Sequence, residues 1–139
     1  MLVLAGVHGD EPEGFLFLER LEKEVIQSNP IDKRIALYSC SRINPDGCEK
    51  NRRTNERNVD LNRNLPTRDW TADFSNVRYY PGEAPGSEPE TRATLQMIAD
   101  LKPRVVFSLH SYEHPMINYN GPCLDLAEEM QKHNGLQPK

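Results

Sequence analysis

Two short apolar runs, far apart in the chain, each lead directly into a histidine. Leu2-Val-Leu-Ala-Gly-Val7 precedes His8, and Val105-Val-Phe-Ser-Leu109 precedes His110. Runs of this length and composition read as strands buried on both faces, the pattern of a parallel sheet. Ile35-Ala-Leu-Tyr-Ser-Cys40 is a third such run. Between them the period changes. From Glu13 onward Phe15, Leu16, Leu18, Leu21, Val25 and Ile26 fall near helical spacing, and Asn29-Pro30 marks a stop. Ser87-Glu-Pro-Glu90 has the form of a capping box with a proline in the first turn. It predicts a helix to Leu101, with Leu95, Ile98 and Leu101 inward and Pro103 beyond its end. A last helix is predicted over 124–133. Asn44-Pro-Asp-Gly47 reads as a turn. The order β-α-β-loop-α-β-α specifies an α/β protein with parallel strands covered by helices. Ligands of such sheets gather beyond the carboxyl ends of the strands. His8 and His110 are therefore expected at one edge.

Length and charge narrow the function. With 139 residues, the chain suits a single domain, 1–139. Its net charge of −4 argues against nucleic acid as the main partner. No apolar run approaches the length of a membrane span, so no membrane partner is expected. Cys40, Cys48 and Cys123 form no CxxC pair, and an odd, irregular set fits a reducing compartment. The start of the chain has no basic leader. A cytoplasmic location is expected.

The chemistry rests on His8, Glu11 and His110. A catalytic zinc takes three protein ligands from His, Glu or Asp and leaves a fourth position open. His8 and Glu11 are two residues apart across a strand-to-helix turn that Gly9 allows to be tight. His110 would complete the set from a distant strand end. Each feature alone is weak. His-x-x-Glu is more often a turn with surface side chains, and Glu11 also suits a helix N-terminus electrostatically. The basic run Lys50, Arg52, Arg53, Arg57 and Arg63 could equally be a solvated face or a phosphate patch. The long irregular stretch 65–86 carries Trp70, Tyr79 and Tyr80, which either flank a cleft or anchor the loop.

The motifs in order decide between these readings. His8-Gly-Asp-Glu11, Asn44-Pro-Asp-Gly47, Asp60-Leu-Asn-Arg-Asn64, Ser87-Glu-Pro-Glu90 and His110-Ser-Tyr112 follow one another as they do in carboxypeptidase A-like zinc peptidases. The chain resembles that family from residue 3 to about 112. The resemblance implies a three-layer α/β/α fold with a mixed, largely parallel sheet. It implies Zn2+ on His8, Glu11 and His110. By its position before Asn62-Arg63, Arg53 matches the carbonyl-polarising arginine, and Asn62 and Arg63 match the residues that hold a substrate's free carboxylate. The physics agrees, because a guanidinium offers a planar fork to a carboxylate and a fixed cation stabilises an oxyanion. Asp60 reads as structural, bonding backbone or an arginine. Tyr112 is a pocket candidate, with core or rim packing equally open.

The compact spacing from Arg53-Thr-Asn to Leu61-Asn-Arg-Asn64 further resembles bacterial murein tripeptide amidases. That implies hydrolysis of a peptide or amide bond in a small peptide, beside a free carboxylate. An N-acyl amino-acid deacylase of the aspartoacylase or succinylglutamate desuccinylase type is the alternative, followed by a non-catalytic zinc- or peptide-binding fragment. The family's general-base glutamate belongs to a later strand. The chain is thus expected to be the N-terminal half of a catalytic domain, incomplete on the C-terminal side of the sheet and inactive without the remainder.

Overall fold

The structure, a computed structural model, describes residues 1–28, 32, 34–111 and 113–139. Its centre is a three-stranded parallel sheet in the order β2-β1-β3, with β1 at Leu2–Leu4, β2 at Tyr38–Cys40 and β3 at Val106–Ser108. Leu2 lies opposite Tyr38 on one side and Val106 on the other. The strands are shorter than their apolar runs. Gly6 turns the chain with φ +65 directly after β1, in a conformation that favours glycine. A side chain there would also meet Ser41 O at 2.8 Å.

The middle strand is buried on both faces, as its composition requires. Leu2 and Leu4 point to one side and pack with Ile43 and Leu61, backed by Met97, Ile98 and Leu101. The last three belong to helix α3, Pro89–Leu101. Val3 and Ala5 point the other way and pack with Phe15 and Leu18 of helix α1, Pro12–Ser28. Alternation along a strand thus places a helix on each face, giving three layers. The outer strands are less covered, and Tyr38 and Val106 are exposed.

Several details differ from the sequence reading. Leu16 is 55% exposed, because Phe15 and Leu18 define the buried stripe of α1 and residue 16 lies about 100° around from Phe15. Met97 takes the core position expected of Leu95. The Ser87 capping box does not form. Glu88 is the N-cap of α3 without a side-chain cap bond, and the Ser87 hydroxyl donates to Glu88 Oε1 at 2.8 Å instead. Asn44-Pro-Asp-Gly47 opens helix α2, Pro45–Lys50, whose N-cap is Asn44. Pro45 at the first helical position needs no donor, and the Asn44 side chain accepts from Gly47 N at 2.9 Å. Helix α4, Leu124–Asn134, follows β3 and buries Ala127. The expected Asn29-Pro30 stop lies outside the described residues.

Leu18 is 1% exposed at the centre of the α1 face. Leu18→Ala is expected to lower stability by about 2–5 kcal/mol, whereas Leu16→Ala stays within about 0.5 kcal/mol of the parent. Urea unfolding of both variants checks this assignment of faces.

Candidate metal centre

The β1 turn places the first two candidate ligands. Glu11 N donates to His8 O at 3.4 Å, and the turn delivers Glu11 just before α1. Gly9 is packed against helix α2. A Cβ on Gly9 would fall 1.9 Å from the carbonyl carbon of Gly47, so neither backbone leaves room for a side chain. Asn44 is fully buried and holds the rear of this turn. Its amide donates to Val7 O and to Arg53 O, each at 3.3 Å. The Asn-Pro-Asp-Gly sequence therefore links the strand bearing His8 to the segment bearing Arg53.

His110 arrives at the same edge from β3. Its Nδ1 lies 3.2 Å from His8 Nδ1 and 3.0 Å from Glu11 Oε2, while His8 Nδ1 lies 2.8 Å from Glu11 Oε1. Ligand atoms of His8, Glu11 and His110 all lie within 4.8 Å of one another, with His8 buried and His110 exposed. A tetrahedral zinc with bonds near 2.0–2.1 Å has ligand atoms about 3.3 Å apart. The observed spacings come close to that edge. His8 Nε2 is occupied on its far side by Asp60 Oδ1 at 3.1 Å. With the proton on Nε2, the Nδ1 lone pair faces a carboxylate and a second imidazole. A cation held between them would relieve that repulsion, with His8, Glu11 and His110 as the donors available to it.

The charges are strongly coupled. Burial pulls the His8 pKa down, but its bonds to Asp60 and Glu11 outweigh burial and raise it above 6.5. Burial pushes the Glu11 carboxyl up, yet His110 and His8 outweigh it and hold it well below the usual range, with help from the Ser111 backbone N–H. Asp60 is likewise pushed up by burial and brought below its ordinary value by His8 and Arg53.

Arg53 stands beside this cluster. Its Nε donates to Asp60 Oδ2 at 2.9 Å, and its Nη1 lies 3.6 Å from Glu11 Oε1. Asn62 and Arg63 sit on a 3-10 turn, Leu61–Arg63, capped by Asp60, which accepts from Asn62 N. Both side chains are exposed, and Arg63 Nε lies 3.6 Å from Asp60 Oδ2. The Tyr79 ring faces both guanidiniums, with Arg53 at 5.3 Å and Arg63 at 4.8 Å from its centroid. Tyr112 lies outside the described residues. The remaining basic residues divide. Lys50 and Arg52 pair with Glu56, whereas Arg57 has no ion pair among the described residues.

Comparison with known proteins shows the family. The zinc carboxypeptidase family model covers residues 1–132. The chain belongs to that family. It is 37% identical over 120 residues to murein peptide amidase A of Escherichia coli K12, a match covering 78% of this chain and 48% of that protein. The chain spans about half the length of the curated relatives it matches. The crystal structure of murein-tripeptide amidase from Escherichia coli O157 superposes with a TM-score of 0.75 at 31% identity, over 99% of this chain and 60% of that one. Bovine thrombin-activatable fibrinolysis inhibitor, in complex with a tick carboxypeptidase inhibitor, shares the fold, with a TM-score of 0.77 at 21% identity over 99% and 60%. No helix of the described residues is long and apolar enough to cross a membrane.

Some residues that build the site carry no periodic signal. Asp10 accepts from Arg78 Nη2 at 2.7 Å, tying the 65–86 stretch to the turn of Glu11. Buried Asn64 donates to Pro81 O, Ala84 O and Ser87 Oγ and accepts from Glu88 N. Buried Asn55 accepts from Arg57 N and Val59 N and donates to Glu88. The stretch is thus anchored at several points. Asn64→Ala would strip the donors from Pro81 O and Ala84 O and is expected to cost at least about 2 kcal/mol. It should also open residues 65–86 to proteolysis. Unchanged urea stability and an unchanged digestion pattern would rule out this anchoring role.

Proposed function

We propose that the protein contributes the metal-binding and substrate-orienting half of a zinc hydrolase that cleaves a peptide or amide bond beside a free carboxylate. The observation that carries this reading is the convergence of His8 Nδ1, His110 Nδ1 and the Glu11 carboxylate, with Asp60 behind His8. His8, Glu11 and His110 are the ligands in this reading. A zinc ion bound there polarises a carbonyl and lowers the pKa of a water molecule.

The chain's own residues do the rest. Asp60 fixes the tautomer and tilt of His8, as carboxylates behind metal-bound histidines do. Arg53, held by Asp60 and Tyr79, presents a guanidinium next to the ligands, where it stabilises charge developing on the carbonyl oxygen. Arg63 and Asn62, exposed on the adjacent turn, orient the substrate through its free carboxylate. The relatives named as murein peptide amidases favour a short cell-wall peptide over an N-acyl amino acid.

The purified protein is expected to bind one equivalent of zinc, and His8→Ala and His110→Ala to lose it. Retention of stoichiometric zinc by both variants would overturn the ligand assignment. Asp60→Asn should weaken zinc binding about 10–100-fold while keeping one site. Hydrolysis assays on the full-length gene product, with a murein tripeptide against an acyl-aspartate, separate the amidase from the deacylase.

The affinity should also depend on pH in a defined direction. His8 must lose its proton to bind metal, and its pKa is raised. Protons therefore compete at a higher pH than they would for an ordinary histidine. Zinc affinity is expected to fall as pH drops from about 8 to about 6. Titration against a chromophoric chelator at several pH values checks this.

A further inference from the structure

His110 is the least supported of the three candidate ligands. Asp60 braces His8 from behind, 3.1 Å from its Nε2. Among the described residues no carboxylate does this for His110, whose Nδ1 meets the other two candidates, His8 and Glu11. The sheet adds little. This strand end is last bonded to β1 by Leu109 N, which donates to Leu4 O at 2.9 Å, so His110 already lies beyond the ladder. Its place is fixed instead by the first turn of α1.

Three contacts join that turn to residues 109–111. A Cβ on Gly14 would lie 3.3 Å from both Leu109 Cβ and Leu109 O, so the bare glycine lets helix and strand end approach this closely. The Ser111 backbone N–H donates to Glu11 Oε2 at 3.0 Å. The Ser111 hydroxyl donates to Glu13 Oε2 at 2.6 Å, the length of a charge-assisted bond. Glu13 and Ser111 are 98 positions apart, so nothing in the local chain imposes their contact.

We infer that Glu13 is a positioning residue for the metal centre, anchoring Ser111 so that His110 stands beside His8 and Glu11 before a cation arrives. The inference rests on the ligand reading above and deepens it. One turn of helix serves twice, with Glu11 as a donor and Glu13 as the anchor for the neighbour of the next donor. Because Ser111 also grips Glu11 through its backbone, the same clamp orients that carboxylate. Glu13 and Ser111 therefore act as one unit.

Zinc titration of the purified protein and its variants tests this. Glu13→Ala and Ser111→Ala are each expected to weaken zinc binding about tenfold, the lower end for loss of a group that orients a metal ligand. The double variant should be no weaker than either single one, the mark of a shared interaction. Glu13→Gln, which keeps an acceptor oxygen, should recover most of the affinity. Both side chains lie at the surface, so the urea midpoint of the metal-free variants should stay near that of the parent. The second measurement needs no metal. Ser111→Ala changes no charge, yet it should shift and broaden the His110 ring signals in NMR of the metal-free protein, whereas Glu13→Gln should leave them near the parent. If the parent binds no zinc but the His110 signals respond in this way, the clamp stands and the ligand reading falls. If the parent binds zinc and both alanine variants match it, or if their losses add in the double variant, the clamp is overturned. Unmoved His110 signals in Ser111→Ala would overturn it as well.

Discussion

The Asp60 carboxylate organises the whole site. It is completely buried, and its two oxygens meet His8 Nε2, Arg53 Nε, the Asn62 backbone and, at longer range, Arg63. One anion therefore sets the orientation of a metal-ligand candidate, an oxyanion-stabilising candidate and the turn bearing the carboxylate-binding pair. Burying a charge is tolerated only when it is paired and bonded this fully, and removal of a partner from such a pair costs about 3–5 kcal/mol. The same coupling explains why Arg53 is largely buried while Arg63 remains exposed. Arg53 lies between Asp60, Glu11 and a tyrosine ring, whereas Arg63 touches only the outer edge of that set.

Around this anion, the loops are braced by buried amides more than by apolar packing. Asn44, Asn55 and Asn64 are each nearly or fully inaccessible; Asn44 and Asn64 satisfy backbone groups from distant segments, and Asn55 joins its own local backbone to the distant Glu88 carboxylate. An amide offers both donors and an acceptor, so one side chain can close two irregular strands of backbone together. That is how a region with little regular secondary structure between residues 64 and 88 keeps a defined shape. Tyr79 and Arg78 take part from this region, one under the two guanidiniums and the other against the turn of Glu11.

Much of this was legible in the sequence, for physical reasons that differ by element. Leu2–Leu4 and α1 declare themselves through apolar runs and helical spacing, and the two histidines follow because strand ends of a parallel sheet share an edge. The spacing of Arg53, Asn62 and Arg63 was readable only through resemblance, since a run of basic residues has no intrinsic meaning. What was not legible depends on the third dimension. Nothing in the chain distinguishes Asn44 as a brace from any other turn asparagine. The Ser87 box failed because its groups are engaged elsewhere: Ser87 N donates to Ala84 O, the Ser87 hydroxyl donates to Glu88 and accepts from Asn64, and the Glu90 carboxylate accepts from Asn55. Leu16 lay within reach of a loosely drawn helical stripe and fell outside the true one. Asp60 was read as bonded to an arginine or to backbone, and it is, but its bond to His8 comes from residues 52 positions apart.

The separation of His8 and His110 by 102 positions has a consequence for how the molecule forms. β1 and β2 are separated by α1 alone, whereas β3 pairs with the other side of β1 across the long intervening chain. The entropy of closing so long a loop rises slowly with its length, yet pairing across it is slow because that entropy is lost before the contact forms. The proposed three-ligand metal site would therefore be complete only once β3 has joined the sheet, so cation capture would report completed assembly.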